Sequence, residues 1–173
     1  MTGYRLVADR VVPVDPNGAT VIIDGAIDIA SDGRIVAVGN EDDLGPSPTD
    51  RRNVGGLLMP GLVNTHAHTP MTLVRSVGDG LPLQEWLTDG VWPREGVMTP
   101  EDARVGMMLG SIEMLLAGVT TSCEMYLFEE EMVDAVNQTG ARMVITPGII
   151  AALHSSSFGT GTSRADAVAN FAN

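Results

Sequence analysis

The chain has no lysine: its ten basic residues are all arginine, set against 22 acidic ones, and the formal net charge is −12. A chain so short of cations is poorly equipped to neutralise a phosphate backbone, so no nucleic-acid partner is expected. A single cysteine, Cys123, excludes an intrachain disulfide. The first residues also lack the charged-then-apolar order of a signal peptide, and the expected compartment is the cytoplasm. No apolar run approaches the roughly 18 residues that cross a bilayer, so no membrane partner is expected either. What the chain does have is 44% hydrophobic residues over 173 positions, enough for one substantial core or two small ones.

The most informative stretch runs from Leu57 to His68, Leu-Leu-Met-Pro-Gly-Leu-Val-Asn-Thr-His-Ala-His. An apolar run broken only by Pro60 and Gly61 and closed by polar residues reads as a buried parallel strand ending at a functional rim. Side chains alternate along a strand, so His66 and His68 are expected on one side, where both imidazoles can reach one metal ion.

Upstream, Tyr4 to Val12 and Thr20 to Ile23 read as strands flanking a turn at Asp15-Pro16-Asn17-Gly18. Ala26 to Ile29 and Arg34 to Gly39 form a hairpin around Asp32-Gly33. Asn40 to Asn53, acidic and carrying Pro46-Ser47-Pro48, reads as a surface linker, with a domain boundary near residue 56. Downstream the period changes to that of helices. Thr99-Pro100-Glu101-Asp102 marks a capped helix start, with an apolar face of Val105, Met108, Leu109, Ile112, Leu115 and Leu116 and a glycine stop at Gly118. Val119 to Tyr126 is a second strand, Glu129 to Thr139 an acidic-fronted helix before Gly140, and Arg142 to Ile150 a third strand. A last helix from Ser163 reaches Phe171.

Alternating strands and helices of this kind build a parallel sheet with helices outside. The expected fold is α/β: residues 1–56 are the strands of a small β-sandwich domain, and residues 57–173 are the first three or so units of a (β/α)8 TIM barrel. A complete barrel needs about 250 residues, so the chain reads as truncated. A doubly wound sheet is the competing layout, but it gives no reason for a histidine pair at its first strand end.

Those residues carry a resemblance. The β-rich segment, Met59-Pro60-Gly61-Leu62-Val63-Asn64-Thr65-His66-Ala67-His68 and Gly118-Val119-Thr120-Thr121 resemble the amidohydrolase superfamily of metal-dependent hydrolases. Thr69 to Arg75, Leu81 to Leu87 and Val91-Trp92-Pro93-Arg94-Glu95 look like its methylthioadenosine/S-adenosylhomocysteine deaminase branch, close to chlorohydrolases and guanine deaminases. The resemblance implies one divalent ion, usually zinc, held by His66 and His68 together with later residues. It implies deamination of a 5′-substituted adenosine or related purine nucleoside by attack of metal-bound hydroxide, with the general base beyond residue 173 and a homo-oligomer when complete. Trp86 is implied as a stacking surface for the small-molecule substrate and Glu95 as an acceptor for ribose hydroxyls.

Each position also has a plainer reading: Trp86 as a buried indole under a barrel lid, Glu95 as a solvated glutamate before a helix. His154, without a partner at ligand spacing, reads as a loop histidine, Cys123 as core, and Met107, Met108 and Met114 as packing. Glu124 reads as a structural hydrogen-bonding residue, with a supporting place beside the metal as the alternative. Where the branch carries an arginine for the amino-acid carboxylate, this chain has Pro147, which favours a short 5′ group; Arg164 is the candidate substitute. Guanine or triazine deamination or dechlorination is the alternative chemistry. A non-catalytic split fragment is the alternative of another class, because the chain alone supplies only part of a site and is expected to be inactive.

Overall fold

The computed structural model describes residues 3–15, 18–48 and 50–146. The chain divides into two compact units, Met1–Pro60 and Gly61–Asn173. In the first, β1 (Tyr4–Val11) is followed by a short ribbon, β2 (Val14–Asp15) and β3 (Gly18–Ala19), then β4 (Ile22–Ile29) and β5 (Ile35–Asn40). A 3-10 helix over Glu41–Leu44 leads into β6 (Asp50–Asn53) and β7 (Leu57–Leu58). The sheet order is β5-β4-β1-β6, with β7 also on β1. β4 pairs antiparallel with both β1 and β5, while β6 and β7 run parallel to β1. The β4–β5 hairpin closes at Gly33, whose φ of 83° supplies the turn conformation expected there.

Two expectations need correction in this unit. Asn40 to Asn53 is not merely a linker, because Asp50–Asn53 forms an exposed strand on β1. Charged side chains hid it, yet strands at sheet edges often carry charges. Here Arg51 pairs with Glu41 at 2.6 Å, and the Arg52 guanidinium lies 4.4 Å from the Tyr4 ring centroid. The Leu57–His68 run is also not one strand. Leu57–Leu58 completes the first sheet, and the break at Pro60-Gly61 starts the second unit, so the boundary falls at 60 rather than 56.

In the second unit, β8 (Leu62–Ala67) leads through a 3-10 helix (Thr69–Val74) to α1 (Leu83–Glu85), a π-helical turn (Trp86–Val91) and α2 (Trp92–Glu95). Then come α3 (Pro100–Leu116), β9 (Val119–Glu124), α4 (Glu129–Thr139) and β10 (Arg142–Ile145). The three strands are parallel, in the order β10-β9-β8. Neighbouring parallel strands in chain order with helical connections are the repeating unit of a (β/α)8 barrel. The α3 start is the expected one: Thr99 and Asp102 form a reciprocal capping box, with Pro100 at the first helical position. Gly140 ends α4 with a φ of 77°.

The core of this unit is Met107, Tyr126, Met132, Ala135 and Val136, with Met71, Met98 and Met143 against it. The buried face of α3 is not the expected one. It is Ala103, Gly106, Met107, Gly110 and Ser111, whereas Val105, Leu109, Ile112 and Leu116 are exposed. Small residues were the buried ones because the chain after β8 crosses α3 at backbone distance: a Cβ on Gly106 would lie 2.5 Å from the Pro70 carbonyl oxygen. β8 departs from expectation too, with Leu62 52% and Val63 59% exposed. Cys123 is half-buried and free. No helix among the described residues is long and apolar enough to cross a membrane. Pro147, the far end of the third strand, His154, the last helix and Arg164 lie outside the described residues.

Candidate metal centre

Parallel pairing of β8 with β9 carries His66 and His68 to one strand end. The register shifts between Asn64 and Ala67, where the Asn64 side chain accepts the His66 main-chain N–H at 3.2 Å. Beyond the last strand residue, the Met125 N–H donates to the Ala67 carbonyl at 3.3 Å. This brings the Met125 carbonyl to the His68 ring, where Nδ1 lies 2.6 Å from its oxygen. A carbonyl can only accept, so Nδ1 carries the proton and a neutral His68 presents a bare lone pair at Nε2.

That lone pair meets its partner. The two Nε2 atoms are 3.2 Å apart, with the rings edge-to-face at 86° and centroids 5.0 Å apart. Two nitrogens bound at about 2.0–2.1 Å to a tetrahedral zinc ion lie about 3.3–3.4 Å from each other, close to the observed spacing, which is equally that of a hydrogen bond between the rings. Without a metal the same spacing suits one shared proton, which a divalent cation can replace. His66 is exposed, and a cleft of about 390 Å³ that touches His68 but not His66 lies against α3, with Asn64, Thr69, Thr72, Glu113 and Met114 in its lining. No group of three or more histidine, cysteine, aspartate or glutamate side chains that could hold a metal occurs among the described residues.

Of the other two expected site residues, Glu95 connects with the pair and Trp86 stands apart. Glu95 Oε1 accepts the Tyr126 hydroxyl at 2.7 Å, and Tyr126 directly follows the Met125 that holds His68. Burial, and then the Glu95 carboxylate, push the Tyr126 phenol well above its ordinary pKa, so it stays a donor. Trp86 opens the π-helical turn, and its indole N–H donates to the Val77 carbonyl at 2.9 Å, against the loop at Gly78. The reading of residues missed the Met125 carbonyl, which has no signature in a sequence, and Tyr126, which it took as the strand's last residue.

The match to a family model decides the classification: residues 57–170 fit the amidohydrolase family. The chain belongs to the amidohydrolase family. Among its amidohydrolase relatives, the 5′-deoxyadenosine deaminase of Methanothermobacter thermautotrophicus is 41% identical over 122 residues, covering 70% of this chain and 29% of that protein. The 5-methylthioadenosine/S-adenosylhomocysteine deaminase of Carboxydothermus hydrogenoformans is 45% identical over 93 residues, 54% of this chain and 22% of that one. The chain therefore spans less than a third of the length of either relative. Among solved structures, a zinc-bound adenosine deaminase from Xanthomonas campestris superposes with a TM-score of 0.76 at 32% identity, covering 96% of this chain and 37% of that one. The guanine deaminase of E. coli, 21% identical with a TM-score of 0.76 over 90% of this chain and 39% of that one, shares the fold. These neighbours establish the three parallel strands as part of an amidohydrolase (β/α)8 barrel.

Proposed function

We propose that this chain supplies the first metal ligands and part of the nucleoside pocket of a zinc-dependent aminohydrolase that deaminates a 5′-substituted adenosine. The observation that carries this reading is the convergence of His66 Nε2 and His68 Nε2 at 3.2 Å, with His68 Nδ1 committed to the Met125 carbonyl. Relatives named for 5′-deoxyadenosine and methylthioadenosine deamination, and a neighbour with bound zinc, support the substrate class and the metal. His66 and His68 would hold the ion. When bound, a divalent ion supplies Lewis acidity and an activated water at neutral pH. In the net reaction, water gives its oxygen to the purine carbon that bears the amino group, and ammonia leaves.

The remaining roles belong to this chain's own side chains. Glu95 has two carboxylate oxygens: Tyr126 takes one and fixes the group, and the other accepts from a ribose hydroxyl. Trp86, its N–H satisfied by Val77, offers an indole face for stacking. With two candidate ligands and no general base among the described residues, this chain by itself is expected to hold zinc weakly and to turn over nothing.

Ammonia release tests the proposal, with the purified chain and with the polypeptide extended through its downstream reading frame. The extended protein is expected to deaminate 5′-deoxyadenosine and methylthioadenosine in preference to guanine, and to leave chlorotriazines intact. Preference for guanine or a triazine would replace the substrate assignment. Stoichiometric zinc and turnover by the 173 residues alone would overturn the division of the site.

A further inference from the structure

Glu124, the last residue of β9, is fully buried at 0% exposure. Its Oε2 accepts the Thr69 main-chain N–H at 2.9 Å, and its Oε1 accepts the Thr69 hydroxyl at 2.6 Å. A buried carboxylate is expensive to desolvate, and an apolar side chain of similar volume commonly serves stability as well or better. The position therefore calls for a use beyond packing. Thr69 directly follows His68 and is itself buried, and its other flank is closed by α3, where a Cβ on Gly110 would collide with the Thr69 side chain. Thr69 is thus gripped from two sides. The same strand end supplies the Met125 carbonyl that receives His68 Nδ1–H, so consecutive residues fix first the backbone after His68 and then its ring.

We propose that Glu124 is a positioning residue: by clamping Thr69 it seats the His68 ring on the Met125 carbonyl and so presents Nε2 to a divalent cation. The second half rests on reading His66 and His68 as cation ligands. The chemistry of the clamp is specific about replacements. Glutamine keeps the shape, offering its oxygen to the Thr69 N–H and its N–H to the Thr69 hydroxyl, whereas alanine offers neither.

The test uses the purified chain and its Glu124→Ala, Glu124→Gln, Thr69→Val and His66→Ala/His68→Ala variants. Long-range proton–nitrogen NMR above the imidazole titration range reads the His68 tautomer, zinc titration calorimetry reads affinity, and circular dichroism reports folding. Parent and E124Q are expected to hold His68 as the Nδ1–H tautomer. E124A is expected to lose that tautomer preference and to bind zinc about 10–100-fold more weakly, the usual effect of removing support behind a ligand. E124Q is expected to stay within about threefold of the parent. A drop in melting temperature for E124A with unchanged tautomer and unchanged zinc affinity would reduce Glu124 to a structural residue and overturn the proposal. Should E124A fail to fold, T69V decides: it removes the hydroxyl bond alone, and an unmoved His68 signal overturns the clamp. If the parent and the double histidine variant bind zinc equally poorly while the tautomer still depends on Glu124, the metal reading fails and the clamp stands.

Discussion

At the residue scale, two arrangements of charge divide the labour between the units. Arg5 is 1% exposed yet fully engaged: its guanidinium donates to both Asp28 carboxylate oxygens at 2.6 and 2.8 Å and to the Gly45 carbonyl at 3.1 Å. Removing Arg5 leaves Asp28 half-buried and uncompensated, so Arg5→Ala is expected to destabilise the first unit by about 1–3 kcal/mol in urea unfolding. The Arg5 hydrogen bond holds Asp28 below the ordinary carboxylate range. The sign follows: the unfolded chain binds the Asp28 proton more readily, so this stabilisation is complete above the unfolded value of about 3.9 and drains away as pH falls through the lower folded value. Asp28→Asn should therefore flatten the acid limb of a stability–pH curve, while leaving its shape above pH 5 or so unchanged. In the second unit the buried carboxylate, Glu124, is held by a threonine and a main-chain N–H instead of a cation. The histidine pair was legible at this scale because two identical ligand types at i and i+2 are a pattern of letters. The carbonyl that orients one of them was not, since every residue has one.

At the element scale, α3 shows how packing overrides periodicity. Its large apolar residues suggested the buried face, but the 3-10 helix after β8 lies on the glycine side. Substituting alanine at Gly106 or Gly110 should gain about 1 kcal/mol of helix propensity. Overpacking against Pro70 and Thr69 should outweigh it, with a loss of about 1–3 kcal/mol. Both variants are therefore expected to melt lower than the parent. Because Thr69 is the residue displaced, Gly110→Ala should also disturb the His68 signal, and Gly106→Ala should do so less. An unchanged or raised melting temperature would mean that the segment retreats freely. Helix ends were the legible part of this scale: the Thr99–Asp102 capping box and the Gly140 stop act within one turn of chain, so local sequence is enough to specify them.

At the scale of the whole molecule, the exposed apolar surface is the dominant fact. Leu62 and Val63 on β8, Val144 on β10 and Leu116 at 85% exposure on α3 lie open to solvent. In a complete parallel barrel such strands are covered on both faces and paired along both edges. The chain is expected to bind an apolar dye and to associate as its concentration rises, read by fluorescence and light scattering. A polypeptide that completes the barrel, supplied in the same chain, should suppress both. Val63→Thr should weaken dye binding without lowering the melting temperature much, because its side chain is already hydrated.

The amino-acid order alone determined the alternation of strands and helices in the second unit, where α3 and α4 begin and end, and that two histidines stand together, because caps, turns and alternation are written within a few neighbouring residues. Folding in three dimensions decided the rest. It made a strand of charged Asp50–Asn53, split Leu57–His68 between two units, turned the small-residue face of α3 inward and set Met125 against His68, Tyr126 against Glu95 and Glu124 against Thr69. Those outcomes depend on main-chain groups and on gaps between residues far apart in the chain, and such partners are chosen only when the strands pair.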